Sequence, residues 1–247
     1  MKKAIKKDAV VRGIYRSFVL TGILTALTTT LGMLIDNVIV GWSLGSVALG
    51  AMSIISPVSL ILSAFGNICS GGGTARAARA MGKGQQDQVN RIFSVTMLFV
   101  LIAGGLLTVF GLAFTPRIAA LLGAKGELLT PTVDYLCGYF LGAIPTIMTT
   151  ALMGFVKIDG SARLPLACMA VMTGVNITLD LVMTYVFHLG MFGMALATSI
   201  SYCCAVLVGC IHFTRKYACL RIVRPGRALL KLISVVQTGA PTALSRV

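Results

Sequence analysis

The chain has 247 residues, 57% of them hydrophobic and only 11% charged, with a formal net charge of +14. A soluble domain carries charge on about a quarter of its residues, so too few remain here to coat a globule, and the apolar residues fall into long blocks that mark a membrane protein. The positive balance excludes a nucleic-acid footprint, because such binders cluster Lys and Arg on a soluble face, whereas here the basic residues fill short gaps between apolar blocks.

Residues 1–16 read as a basic tail. The apolar block behind them is too long for a cleaved leader and lacks a small-residue cleavage site. The first span runs from Ser17 to about Val40, broken only by Asp36, and a turn-like run from Gly41 to Ser46 follows. The second covers Val47 to about Ser70 and contains Pro57. Gly71-Gly72-Gly73 and Gly82-Lys83-Gly84 come next, without the spacing or the Ser/Thr of a phosphate loop, and read as a flexible basic loop. The third span is Ile92 to Phe114. The fourth is Tyr135 to Val156, with Pro145 expected to kink it. The fifth, Leu164 to Phe187, holds Asp180, and the sixth is Leu189 to Phe213. A basic linker, 214–231, leads to the start of a seventh at 232–247. His188 and His212 fall near helix ends, and the seven cysteines form no C-x-x-C pair and read as packing residues.

Each complete block can cross a hydrocarbon core of about 30 Å, which takes roughly 20 helical residues. Helices satisfy their own backbone in lipid, and the alternation of a β-barrel is absent. The fold class is therefore all-α integral membrane: a six-helix lobe over 17–213 plus the opening of a seventh helix.

The tail residues Lys2, Lys3, Lys6, Lys7, Arg12 and Arg16 fall on the same side as Arg76, Arg79, Lys83, Arg91, Lys157, Arg163 and the linker cations from Arg215 to Lys231. The other side has only Arg117 and Lys125. Positive loops stay inside, which places the N-terminus in the cytoplasm. Pro225-Gly226 interrupts the linker as a helix, so it reads as a cytoplasmic connector touching lipid. The segment from Val19 to Leu27 matches Val236 to Leu244 at six of nine positions in the same direction. A parallel repeat of this kind builds transporters with an axis along the membrane normal, and it implies a second lobe beyond Val247.

Asp36 and Asp180 carry the chemistry. A charge in the bilayer core costs at least about 2.5–3.5 kcal/mol, and intramembrane acids mark ion or proton pathways. By helical rise, Asp36, Asp180 and Thr198 share one depth. Thr21, Thr25, Thr28, Gly32 and Asp36 form one stripe, and Thr173, Asn176, Asp180 and Thr184 another. Such stripes also serve helix packing. Asp36, Asn176, Asp180 and Thr198 offer an all-oxygen set that suits a small hard cation, and close carboxylates disfavour double ionisation, so a proton also fits.

Asp36-Asn37-Val38-Ile39-Val40-Gly41, Leu44-Gly45 with Ala48 and Ala51, the N-x-x-x-D pair at Asn176 and Asp180, and the run from Gly193 to Thr198 together resemble the multidrug and toxic compound extrusion (MATE) family. The resemblance spans about Ser17 to Val247. It implies the N-terminal lobe of a two-lobed, twelve-helix cation-coupled antiporter in a bacterial plasma membrane, exporting organic, drug-like cationic compounds. Asp36, Asn176, Asp180 and Thr198 would bind Na⁺ or H⁺. Tyr135 would line the cavity, with Thr28, Gly32, Thr173 and Thr184 as weaker candidates. No cofactor or nucleic acid is expected. The partners are membrane lipid, a small organic substrate and the second lobe. A lipid-linked saccharide flippase and a non-transporting membrane fragment are the alternatives. An enzyme is not expected, since no buried nucleophile–base pair or metal set appears. The chain departs from the family in having no proline between Ser17 and Asp36, although Pro241 stands at the repeat position of Leu24.

Overall fold

The computed structural model describes residues 2–161, 163–214 and 220–223. Most of the expected linker and all of the expected seventh helix lie outside the described residues. Seven α-helices build the lobe: α1 (Lys2–Ser43), α2 (Gly45–Gly82), α3 (Gln86–Leu121), α4 (Leu129–Leu141), α5 (Ala143–Ile158), α6 (Leu164–Tyr185) and α7 (Gly190–Thr214), with a 3₁₀ turn at Gly126–Leu128. No strand occurs among the described residues. Among the described residues, five helices are long and apolar enough to cross a membrane, and α4 with α5 makes a sixth, bent span. The protein is a multi-pass membrane protein with large apolar side chains such as Leu106, Val109, Phe110 and Leu207 exposed on its outside, as lipid contact requires.

The helices are longer than the apolar blocks. The backbone of the basic tail continues into the first span as one helix, and the expected turn shrinks to Leu44 between α1 and α2. The glycine-rich stretch after Ser70 is no flexible loop. It is helical to Gly82, because Gly66 and Gly73 let α2 lie against α5. A Cβ at Gly66 would sit 2.9 Å from Thr150, and one at Gly73 would sit 2.8 Å from Phe155. Small residues at helix contacts are how membrane bundles gain packing.

The fourth span is two helices, bent by 50°. Pro145 causes this at a distance of one turn. A helix pairs the N–H of residue 145 with the carbonyl of residue 141, and proline has no N–H and crowds that carbonyl. The break accordingly falls at Leu141 and Gly142, and the ladder restarts with Thr146 N–H donating to the Gly142 carbonyl at 3.0 Å. The same defect is repaired in α3, where Pro116 frees the Leu112 carbonyl. The Thr115 hydroxyl reaches it at 3.3 Å while donating to the Gly111 carbonyl at 2.7 Å.

Two apolar clusters fill the two ends of the lobe. One gathers Val40, Ile55, Leu62, Leu136, Phe140 and Ala195 from α1, α2, α4 and α7. The other gathers Val89, Phe93, Val100, Ile147 and Phe155 from α3 and α5, and it also takes in Leu220 from beyond α7. Leu220 is 1% exposed. The segment Leu220–Val223 is held under α3 by its backbone. Arg221 N–H donates to Asn90 Oδ1 at 3.0 Å, and Val223 N–H donates to Ser94 Oγ at 2.8 Å. Asn90 and Ser94 are themselves buried. Unpairing a buried polar group costs about 1–3 kcal/mol. Asn90→Leu with Ser94→Ala should therefore speed trypsin cleavage after Arg221 in detergent, while Ser53→Ala, on an exposed face of α2, leaves the rate unchanged. Equal cleavage rates would show that these bonds do not hold the segment.

Candidate cation site

Hydroxyls and amides on α1 satisfy themselves locally. Thr25 Oγ1 donates to the Thr21 carbonyl at 2.7 Å, Thr28 Oγ1 to the Leu24 carbonyl at 2.8 Å, and Asn37 Nδ2 to the Met33 carbonyl at 2.8 Å. Each is a donor reaching one turn back to an acceptor. An ionised carboxylate cannot do this, because it only accepts and the helix presents it only carbonyls. Among the described residues, the buried side-chain polar atoms without a hydrogen-bond partner are Asp36 Oδ1 and both carboxyl oxygens of Asp180.

Those oxygens face each other. α1 and α6 pack side by side, and the Asp36 and Asp180 carboxyls come within hydrogen-bonding range. Asp180 is 1% exposed, whereas Asp36 is half-buried. The backbones can approach because Gly32 stands one turn before Asp36, where a Cβ would lie 3.2 Å from Thr173 Cγ2. Gly32 and Thr173 therefore serve as the contact that brings the acids together, the packing use that their stripes also allow.

A second polar contact lies one turn along α6. Asn176 Nδ2 donates to Thr198 Oγ1 on α7 at 3.4 Å, and Thr198 donates to the Met194 carbonyl at 3.1 Å. Thr184, one turn on the other side of Asp180, is buried and gives its hydroxyl to the Met194 sulfur at 3.3 Å. The structure thus strings Asp36, Asp180, Asn176 and Thr198 along one seam between α1, α6 and α7. Thr28 lies two turns before Asp36, half-buried and occupied by its own helix.

Tyr135 on α4 is buried and within electrostatic reach of both acids. Its ring stacks on Tyr139, centroids 6.0 Å apart, and the Tyr139 hydroxyl lies near Ser59 on α2. Tyr202 on α7 also reaches Asp36. Tyr139 and Tyr202 are absent from the sequence-based set. Each stands four residues after a member of it, Tyr135 and Thr198, so the helical spacing that picked out the stripes points to them as well.

α4 and α7 are clamped behind the seam. A Cβ on Gly138 would come 2.8 Å from Ala195 Cβ, and one on Gly142 would run into Ser199. Ser199 Oγ donates to the Gly138 carbonyl at 2.8 Å. Gly142 has φ of −87°, open to any residue, so glycine is present for space.

Chemically, the seam has two acids and neutral oxygens. No group of three or more His, Cys, Asp or Glu side chains gathers among the described residues. Thiolate or imidazole ligation of a transition metal is foreign to such a donor set, and a hard monovalent cation or a proton suits it.

Residues 22–182 match the MatE family model. Over 209 residues the chain is 31% identical to the multidrug export protein MepA of Staphylococcus haemolyticus, covering 83% of this chain and 46% of that protein. It is 28% identical, with the same coverage, to MepA of Staphylococcus aureus strain MRSA252. An inward-facing multidrug resistance MATE family transporter of the MOP superfamily superposes with a TM-score of 0.79 at 25% identity, over 88% of this chain and 50% of the other. A MOP superfamily transporter from Pyrococcus furiosus shares the fold with a TM-score of 0.83 at 24% identity, over 94% of this chain and 52% of the other. The chain spans about half the length of the curated relatives it matches.

Gly142→Ala adds one methyl at the α4–α7 contact, and overpacking of this kind costs roughly 1–3 kcal/mol. It should lower the unfolding temperature in detergent by several degrees. Gly105→Ala, with nothing within 4 Å of the added carbon, should not. Equal melting points for the two variants would remove the clamp.

Proposed function

This chain belongs to the MatE family, and we propose that it forms the ion-coupling lobe of a Na⁺- or H⁺-driven antiporter that exports organic, drug-like cationic compounds. The observation that carries the reading is the pair of facing carboxyls whose buried oxygens have no donor. Proteins rarely leave such groups unpartnered, and a cation or proton between them supplies the missing partner. The relatives named for multidrug export supply the class of cargo. The Lys and Arg distribution supports an N-terminus in the cytoplasm, and the staphylococcal relatives support a bacterial plasma membrane.

In this reading a cation enters past half-buried Asp36 and is held against Asp180, with Asn176 and Thr198 one turn away as neutral support. Neutralising the pair draws α1 and α6 together, and loss of the ion releases them. Coupling needs only that the ion bind one arrangement of the lobe better than another. Alternating access rocks one repeat against another, so the 247-residue chain reconstituted alone is expected not to export drug from vesicles, and efflux by it would contradict the two-lobe mechanism.

The ion site itself is testable on the same chain in detergent. Calorimetric Na⁺ titration should give one site that weakens by about tenfold per pH unit on acidification, wherever binding displaces a proton. Asp180→Asn and Asp36→Asn should each abolish it. Should Na⁺ not bind, a pH-dependent carboxyl infrared band lost in Asp180→Asn identifies the proton as the coupling ion. Na⁺ binding that survives both substitutions, or neither signal, defeats the proposal.

A further inference from the structure

At the far end of the lobe from the carboxyl pair, α2 and α3 meet in a tight hairpin. Gly84 makes the reversal with a φ of +70°, a region glycine enters without penalty. The hairpin uses up the last carbonyls of α2, since Lys83 and Gln85 N–H both donate to the Ala80 carbonyl, at 3.1 and 3.0 Å, and Gly84 N–H to the Met81 carbonyl at 2.9 Å. The carbonyl end of a helix repels anions, and here it is covered.

A cavity of about 150 Å³ lies against this hairpin. From α2 and its C-cap it takes Arg76, Arg79 and Lys83, at i, i+3 and i+7. From α3 and its N-cap it takes Gln85, Gln88 and Ile92 at the same spacing. Two cationic guanidinium groups, an ammonium and two amides converge on one hollow, and among the described residues no acidic side chain lines it. Asp87 in the first turn of α3 is exposed and outside the lining. Ile92 and Ala80 form the apolar part of the wall.

We propose that this hollow binds the phosphate of an anionic phospholipid headgroup. Arginine forks and lysine are the side chains that recognise phosphate, and amide N–H groups complete its coordination. Depth favours lipid over a soluble phosphate. Arg76 is six residues, about 9 Å of helix, past the apolar block that ends near Ser70, which is the level of the headgroups. With the basic loops inside, the hollow opens on the leaflet that carries anionic lipid and attracts basic residues. Ile92, at the start of the third apolar block and only part-buried, then meets the glycerol and first acyl carbons. The site is separate from the ion seam and does not depend on the transport reading, only on the orientation.

The test is native mass spectrometry of the 247-residue chain in detergent, titrated with phosphatidylglycerol or phosphatidylcholine. One phosphatidylglycerol should be retained about tenfold more tightly than phosphatidylcholine. Arg79→Gln with Lys83→Gln should erase that preference, and Arg163→Gln, a cation outside the hollow, should keep it. Arg79 and Lys83 are exposed, and an unchanged helical circular dichroism melt verifies the fold of the variant. Should the double variant misfold, Gln88→Glu, which sets a carboxylate in the hollow, should weaken phosphatidylglycerol binding alone. Equal retention of the two lipids, or a preference untouched by these changes, overturns the proposal. Millimolar inorganic phosphate that binds the chain and displaces phosphatidylglycerol assigns the hollow to a soluble anion and overturns the lipid reading.

Discussion

Two carboxyl groups are pressed together in a place where the backbone offers them nothing to accept from. Threonine and asparagine on α1 bond one turn back along their own helix, so they add no unmet demand. The acids hold the buried side-chain oxygens left without a partner among the described residues, and whatever neutralises them gains a lever on the two helices that carry them.

The scaffold holds that arrangement through close approaches of small residues. Gly32 against Thr173 sets the spacing of α1 and α6. Gly138 and Gly142 against Ala195 and Ser199 set α4 and α7. The break in the fourth span turns α4 so that Tyr135 and Tyr139 face the seam, while α5 packs on α2. A straight helix through the same residues would send one of those two faces elsewhere. Pro145, far from the acids in its own contacts, thereby shapes the wall that faces them.

Much of this is legible in the sequence, for physical reasons that can be named. Apolar blocks reveal spans because lipid admits little else. Asp36 and Asp180 are visible because a buried charge is rare and costly. Helical spacing correctly groups Gly32 with Asp36 and Asn176 with Asp180. It does not reveal which stripe members touch a neighbouring helix, so the contact of Gly32 with Thr173 appears only in the fold. The expected kink at Pro145 is real, but it falls four residues earlier, where the lost hydrogen bond is. Helix ends are hidden for a different reason. Hydropathy marks where lipid stops, and the helices run on past it, so the stretch after Ser70 reads as a loop although it is the end of α2. Tyr202 stands one turn past Thr198, so the same spacing reaches it, but only its neighbours across the bundle distinguish it from an aromatic that merely packs.

The short strand of backbone fastened beneath α3 changes the mechanics of whatever the chain is joined to. Anything downstream is leashed from Val223 and not from the end of α7 at Thr214. Those nine residues, stretched out, would have given about 30 Å of slack. Taking in that slack confines the attached body to a smaller volume and raises its effective concentration at the lobe, since intramolecular encounter becomes more frequent as a tether shortens toward the distance it must span. A pair of buried hydrogen bonds thus sets how far any body attached beyond Val223 could drift from the lobe.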